Sequence, residues 1–158
     1  MFIKFLINIF IIMNNDLSEI YQAIILDHNK NPRNARSMSS PTHIATGYNP
    51  LCGDEIKVYI LINKNHIFDI SFISEGCAIS KASASLMTLA VKNENLISVN
   101  NKIKEFNNLF NTKKENSINY EALGELIALK GVNKFPARIK CATLAWHTLG
   151  SALKVKNN

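Results

Sequence analysis

The sequence predicts an α+β domain in which a small antiparallel sheet of three strands is covered by about five helices. Two stretches rich in β-branched and aromatic residues, 55–62 and 67–74, are separated only by Asn63-Lys64-Asn65-His66, the arrangement of a hairpin. The second half of the chain instead repeats apolar residues at helical spacing. Strand-like segments therefore come before a run of helical ones, the pattern of a single α+β domain. The length of 158 residues, 47% of them hydrophobic and 19% charged, suits one such domain.

The elements follow in order. Met1 to Ile12 read MFIKFLINIFII, an apolar stretch with one lysine, shorter than a membrane-spanning helix requires. No small-x-small cleavage pattern follows it. Three readings compete: a start chosen upstream of a native start at Met13, an amphipathic anchor, or a targeting segment. The first is preferred, which makes 1–12 an N-terminal apolar extension and 13–158 the single domain. Asp16 and Glu19 have capping-box spacing, and Leu17, Ile20, Ala23 and Ile24 continue at helical spacing, which predicts a helix over 17–28. Asn31-Pro32-Arg33-Asn34 ends it. Residues 37–42 form a polar loop, and 43–48 supply the third strand that a hairpin needs for stability. Helices are expected at 78–92, from Leu96 to Phe110, and as a short segment at 122–127 stopped by Gly131. The last helix carries Ala142, Ala145, Leu149 and Leu153. Trp146 is expected in the core, and Ala82-Ser83-Ala84-Ser85 is expected to let helices pack closely.

The formal net charge of +6 is not a nucleic-acid signature. Fifteen of the eighteen cations are lysines, they are spread along the chain, and Lys113-Lys114 is the longest basic run. No nucleic acid and no stable membrane insertion is expected. The charge is left as a solvated surface able to help docking to an acidic protein.

Three cysteines and one aspartate carry the candidate chemistry. Cys52 lies in the turn Asn49-Pro50-Leu51-Cys52-Gly53-Asp54, Cys77 lies between a strand and a helix, and Cys141 lies near the start of the last helix. Side chains at element ends can converge on one rim. Gly53 gives the loop freedom to turn Cys52 and Asp54 toward one point. Three thiolates and a carboxylate make a tetrahedral set that zinc or iron would accept, and the carboxylate makes the set easier to displace than one of thiolates alone. On spacing alone three readings stay open: unrelated buried thiols, a metal site, or a Cys/His/Asp nucleophilic enzyme. His28, His43, His66 and His147 read as structural or solvated.

Four motifs occur in order: Tyr21 with Asp27-His28 and Asn31-Pro32-Arg33-Asn34; Asn49-Pro50-Leu51-Cys52-Gly53-Asp54; Gly76-Cys77-Ala78-Ile79-Ser80-Lys81 followed by Ala82-Ser83-Ala84-Ser85; and Phe135-Pro136-Ala137-Arg138-Ile139-Lys140-Cys141-Ala142-Thr143-Leu144-Ala145-Trp146. Together they closely resemble the U-type iron–sulfur cluster assembly proteins, over about residues 17–153. Within that family the chain looks like the SufU branch. Lys140 stands where the IscU branch has a histidine before its last cysteine, the Leu-Pro-Pro-Val-Lys motif of that branch is absent, and 63 residues separate Cys77 from Cys141.

The resemblance implies a SufE/IscU-like fold and a cytoplasmic protein of iron–sulfur cluster assembly. It implies that Cys52, Asp54, Cys77 and Cys141 bind one zinc ion. Cys52 would be the sulfur acceptor, displaced from zinc by a SufS-type cysteine desulfurase, a pyridoxal-phosphate enzyme that carries the persulfide. Arg138 and Lys140 would be auxiliary cations, and downstream assembly or acceptor proteins would receive the sulfur. Such a protein is a sulfurtransferase-like accessory rather than a self-contained enzyme. Two other functions remain in view: a scaffold for a transient iron–sulfur cluster, with iron in the site, and a structural zinc-binding interaction domain.

Overall fold

The computed structural model describes residues 2–154. Helix α1 (Phe2–Lys30) leads into strands β1 (His43–Asn49), β2 (Asp54–Asn63) and β3 (His66–Glu75), followed by helices α2 (Ala78–Val91) and α3 (Leu96–Asn108). A 3-10 run (Thr112–Ser117), the single-turn helix α4 (Tyr120–Leu123), a second 3-10 run (Gly124–Lys134) and helix α5 (Pro136–Lys154) complete the chain. The expected three-stranded antiparallel sheet is present, in the order β1-β2-β3.

The β2–β3 turn contracts to Lys64 and Asn65, both at positive φ, which matches the twist of the strands it joins. Pairing sets Val58 against Phe72 and Ile60 against Ile70. These residues and Ile56 are fully buried beneath α5 and α2. Trp146 of α5 is buried as expected and stacks on Phe106 of α3, with ring centroids 4.4 Å apart.

Small residues let α2 pack at the centre of the helical layer. Ala82, Ser83, Ala84 and Ser85 are all fully buried. The Ser83 hydroxyl donates to the Ala142 carbonyl of α5. Ser85 Oγ lies 2.7 Å from Nδ1 of buried His28 and accepts the Arg33 backbone N–H at 2.8 Å. His28 thus ties the end of α1 to α2, a structural role.

Two boundaries differ from expectation. First, α1 does not begin at Asp16. It runs unbroken from Phe2, with Asp16 and Glu19 exposed inside it, because no glycine or proline interrupts residues 2–16. Second, Gly131 does not stop a helix at 122–127. The break comes at Gly124, whose φ of 53° caps α4, and a 3-10 run then continues through Gly131 to Lys134. Helix α5 begins at Pro136, a residue suited to a first helical position, so Cys141 lies in its second turn, near the start of the last helix as expected.

Candidate metal centre

The site forms where β1, β2, α2 and α5 meet. The turn carrying Cys52 is built by Asn49. Its carbonyl accepts the Gly53 N–H at 2.9 Å, and its side-chain Oδ1 accepts the Leu51 N–H at 3.2 Å. Asn49 is buried, and its Nδ2 also donates to Cys141 Sγ at 3.7 Å. This residue was legible only as a turn former before a proline. Its contact with the thiol depends on tertiary packing.

Gly53, at φ 70°, turns the chain so that Cys52 stays exposed while Asp54, the next residue but one, is fully buried as the first residue of β2. Asp54 receives the Cys77 backbone N–H at Oδ1, at 2.9 Å, and Cys77 Sγ lies 3.8 Å from Oδ2. Cys77 is the N-cap of α2, and its sulfur accepts the Ser80 N–H at 3.5 Å. Gly76, at φ 154°, passes so close to Asp54 that a Cβ there would collide with the carboxylate. It is a second residue whose part sequence reasoning missed.

Cys141, fully buried in α5, points its thiol at Cys52, with the sulfurs 3.2 Å apart; all three cysteines are free. Ligand atoms of Cys52, Asp54 and Cys141 lie within 4.8 Å of one another. Tetrahedral zinc–thiolate bonds of about 2.3 Å place two sulfurs about 3.8 Å apart, so the three donors can reach one ion with small adjustments. They could hold a metal ion; the expected fourth ligand, Cys77, falls outside this group of three, though its Sγ lies 3.8 Å from Asp54 Oδ2. Burial, with the neighbouring Cys52, Asp54 and Cys77, pushes the Cys141 thiol far above its usual range. A buried thiol of this kind is inert until something stabilises its charged form.

The two expected auxiliary cations separate. Arg138 is exposed, and the neighbouring thiols of Cys141, Cys77 and Cys52 favour its charged form and raise its pKa. Lys140 is exposed and makes no hydrogen bond or ion pair among the described residues.

A three-stranded antiparallel sheet, helices packed on one face and a thiol–carboxylate rim at its end define an α+β domain with a site that could hold a metal ion. The chain belongs to the NifU-like N terminal domain family, whose pattern matches residues 20–142. Among its relatives, the zinc-dependent sulfurtransferase SufU of Bacillus subtilis (strain 168) is 41% identical over 137 residues, covering 86% of this chain and 90% of that protein. The iron–sulfur cluster assembly scaffold protein IscU of Streptococcus pyogenes serotype M1 is 37% identical over 142 residues, covering 90% and 87%. A crystal structure of a putative iron–sulfur cluster assembly scaffold protein for the SUF system, from Fervidobacterium islandicum AW-1, superposes with a TM-score of 0.78 at 31% identity, covering 83% of this chain and 94% of that one.

Proposed function

We propose that this chain is a sulfur carrier of iron–sulfur cluster assembly, in which Cys52 accepts persulfide sulfur from a SufS-type cysteine desulfurase and passes it on. One observation carries the reading: of three converging thiols, only Cys52 is exposed, on a turn bordered by a glycine. A large partner can reach that sulfur and not Cys141.

Cys52, Asp54, Cys77 and Cys141 would hold one zinc ion, as the printed name of the Bacillus relative says of that protein. Zinc, when bound, keeps its sulfur ligands deprotonated. The transfer itself needs no oxidant. The Cys52 thiolate attacks the outer sulfur of the desulfurase persulfide, a new S–S bond forms on Cys52, the old S–S bond breaks, and the desulfurase cysteine leaves as thiolate. Arg138, beside the thiols, offsets their negative charge; Lys140 belongs to the docking rim and not to the reacting group. A cytoplasmic location, with the other assembly components, goes with this reading. No helix among the described residues is long and apolar enough to cross a membrane.

The experiment begins with metal content of tag-free protein purified without oxygen. About one zinc per chain is expected. The desulfurase is then assayed with the wild type and with Cys52→Ala. Wild type should stimulate it and acquire a persulfide; the variant should do neither. Normal stimulation by Cys52→Ala would sink the proposal. Iron with matching acid-labile sulfide, transferable to an apo-ferredoxin, would instead establish the scaffold function printed for the Streptococcus relative.

A further inference from the structure

A buried thiol lies against the acceptor cysteine, and the transfer of sulfur does not use it as a reactant. Cys141 Sγ is 3.2 Å from Cys52 Sγ, and both cysteines are free. Reacting atoms about 3–3.5 Å apart are already in a near-attack arrangement. A disulfide bond of about 2.05 Å asks the two sulfurs to close by about 1.2 Å more. Cys141 is fixed inside α5, where its sulfur accepts Asn49 Nδ2 at 3.7 Å. Cys52 stands on an exposed turn beside Gly53, at φ 70°, so the approach can come from the turn.

We infer that Cys141 is the resolving thiol for a persulfide on Cys52: it attacks the inner sulfur, a Cys52–Cys141 disulfide forms, and the outer sulfur leaves as sulfide. The inference rests on Cys52 as the sulfur acceptor. The exchange needs no external oxidant. The Cys141 thiol and the Cys52 persulfide give one disulfide and one hydrogen sulfide. The persulfide S–S bond breaks as the new one forms, and the Cys141 proton leaves with the sulfide. The outer sulfur gains two electrons, and each cysteine sulfur gives up one. A dithiol reductant then returns the pair to thiols.

The placement of the two sulfurs suits this step. Cys141 occupies the core side of Cys52, and a sulfur added to Cys52 extends toward solvent, opposite the attacking thiol. Cys77 is placed otherwise: its sulfur accepts the Ser80 N–H at the cap of α2 and lies 3.8 Å from the Asp54 carboxylate. Burial pushes the Cys141 thiol up, which keeps its thiolate fraction small and the step slow. A docked acceptor can therefore take the sulfane sulfur first. A persulfide that no acceptor collects is discharged as sulfide, the form in which sulfur bridges iron.

The test charges the full chain with inorganic polysulfide in the absence of oxygen, removes the excess, and follows intact mass and released sulfide, both as purified and after zinc chelation. Wild type should gain one sulfur and then release it as an equal amount of sulfide. It should end two hydrogens lighter than the reduced chain, with Cys52 and Cys141 in one disulfide-linked peptide. Cys141→Ala should keep the added sulfur at least about tenfold longer. Circular dichroism checks the fold of that variant, and the linked peptide of the wild type tests the inference without any variant. A Cys52–Cys141 disulfide with matching sulfide, in either metal state, bears the inference out. A wild-type persulfide as long-lived as that of Cys141→Ala in both states overturns it, and so does a disulfide to Cys77 or between two chains. Polysulfide bypasses the desulfurase, so the two readings fail separately. A desulfurase that never loads Cys52 removes the sulfur-carrier function, whereas a persulfide that it loads and Cys141 never resolves removes only the resolving thiol.

Discussion

Gly76→Ala tests the site's framework without replacing any donor residue. Gly76 adopts φ 154°, where an alanine costs roughly 1–3 kcal/mol in backbone strain. Its new Cβ would collide with the Asp54 carboxylate, which must then move and release the Cys77 N–H now held at 2.9 Å. A hydrogen bond to a charged group is worth about 1.5–3 kcal/mol. The two effects together predict a loss of about 2.5–6 kcal/mol. Gly53→Ala is the control. Its φ of 70° carries strain of about 1–2 kcal/mol, but nothing stands within 4 Å of its new Cβ. Urea unfolding of both variants, reduced and metal-free, should give unchanged m values and a clearly lower midpoint for Gly76→Ala. Zinc competition against a chromophoric chelator should show a roughly 10–100-fold weaker site, the usual cost of disturbing a group that orients a ligand. Equal stabilities for the two variants, or an unaltered zinc affinity in Gly76→Ala, would refute the argument that this glycine exists to let Asp54 in.

Three further outcomes follow. Chelating the metal should lower the unfolding free energy, by up to about 4 kcal/mol where free zinc had exceeded its dissociation constant 1,000-fold, and an unchanged midpoint of unfolding would mean that the site does not load. Asn49→Ala, which removes the acceptor for the Leu51 N–H and the contact with Cys141, should cost about 1–3 kcal/mol and slow persulfide formation on Cys52 even with metal bound; normal transfer kinetics would reduce Asn49 to a turn former. Burial, with Arg33 adding to it and Asp27 and Glu125 opposing, holds the His28 imidazole below its ordinary 6.5. The unfolded chain then binds the proton more readily than the fold, so His28's contribution is intact at neutral pH and is lost as pH falls below about 6.5, at no more than about 1.4 kcal/mol per pH unit. His28→Asn should be less stable at pH 7.5 yet show a flatter decline toward pH 5.5, and parallel curves would count against this assignment.

The elements with a strong period were legible. The β-branched and aromatic runs 55–62 and 67–74 on either side of a short polar turn read as a hairpin, and the four candidate donors could be named because their motifs lie at loop–element junctions. What escaped depended on contacts between distant segments. Asp16 and Glu19 have the spacing of a cap, but a cap exists only where a helix starts, and nothing in residues 2–15 prevents it from starting earlier. Gly131 looked like a stop, but a glycine stops a helix by taking positive φ, and Gly124 does so instead. Asn49 and Gly76 serve the site through Cys141, 92 residues away, and Asp54, 22 residues earlier, respectively. No local pattern encodes either contact.

The way the fold grades exposure across the donors bears on what they can do. Asp54 opens β2 and Cys141 sits inside α5, both fully buried and fixed by elements that also carry the core. Cys77 caps α2 and is half-buried; Cys52 alone stands on a turn. A site built only to staple the fold gains by burying every ligand, since each exposed bond is open to exchange. A site built to hand over sulfur needs one thiol that a partner can reach and others that it cannot, because a persulfide on a buried thiol could be neither loaded nor discharged. The sulfurs of Cys52 and Cys141 are 3.2 Å apart, yet one faces solvent and the other the core. That asymmetry is why the transfer function is assigned to Cys52, and why exchanging the two roles would fail even though the chemistry of the two thiols is the same.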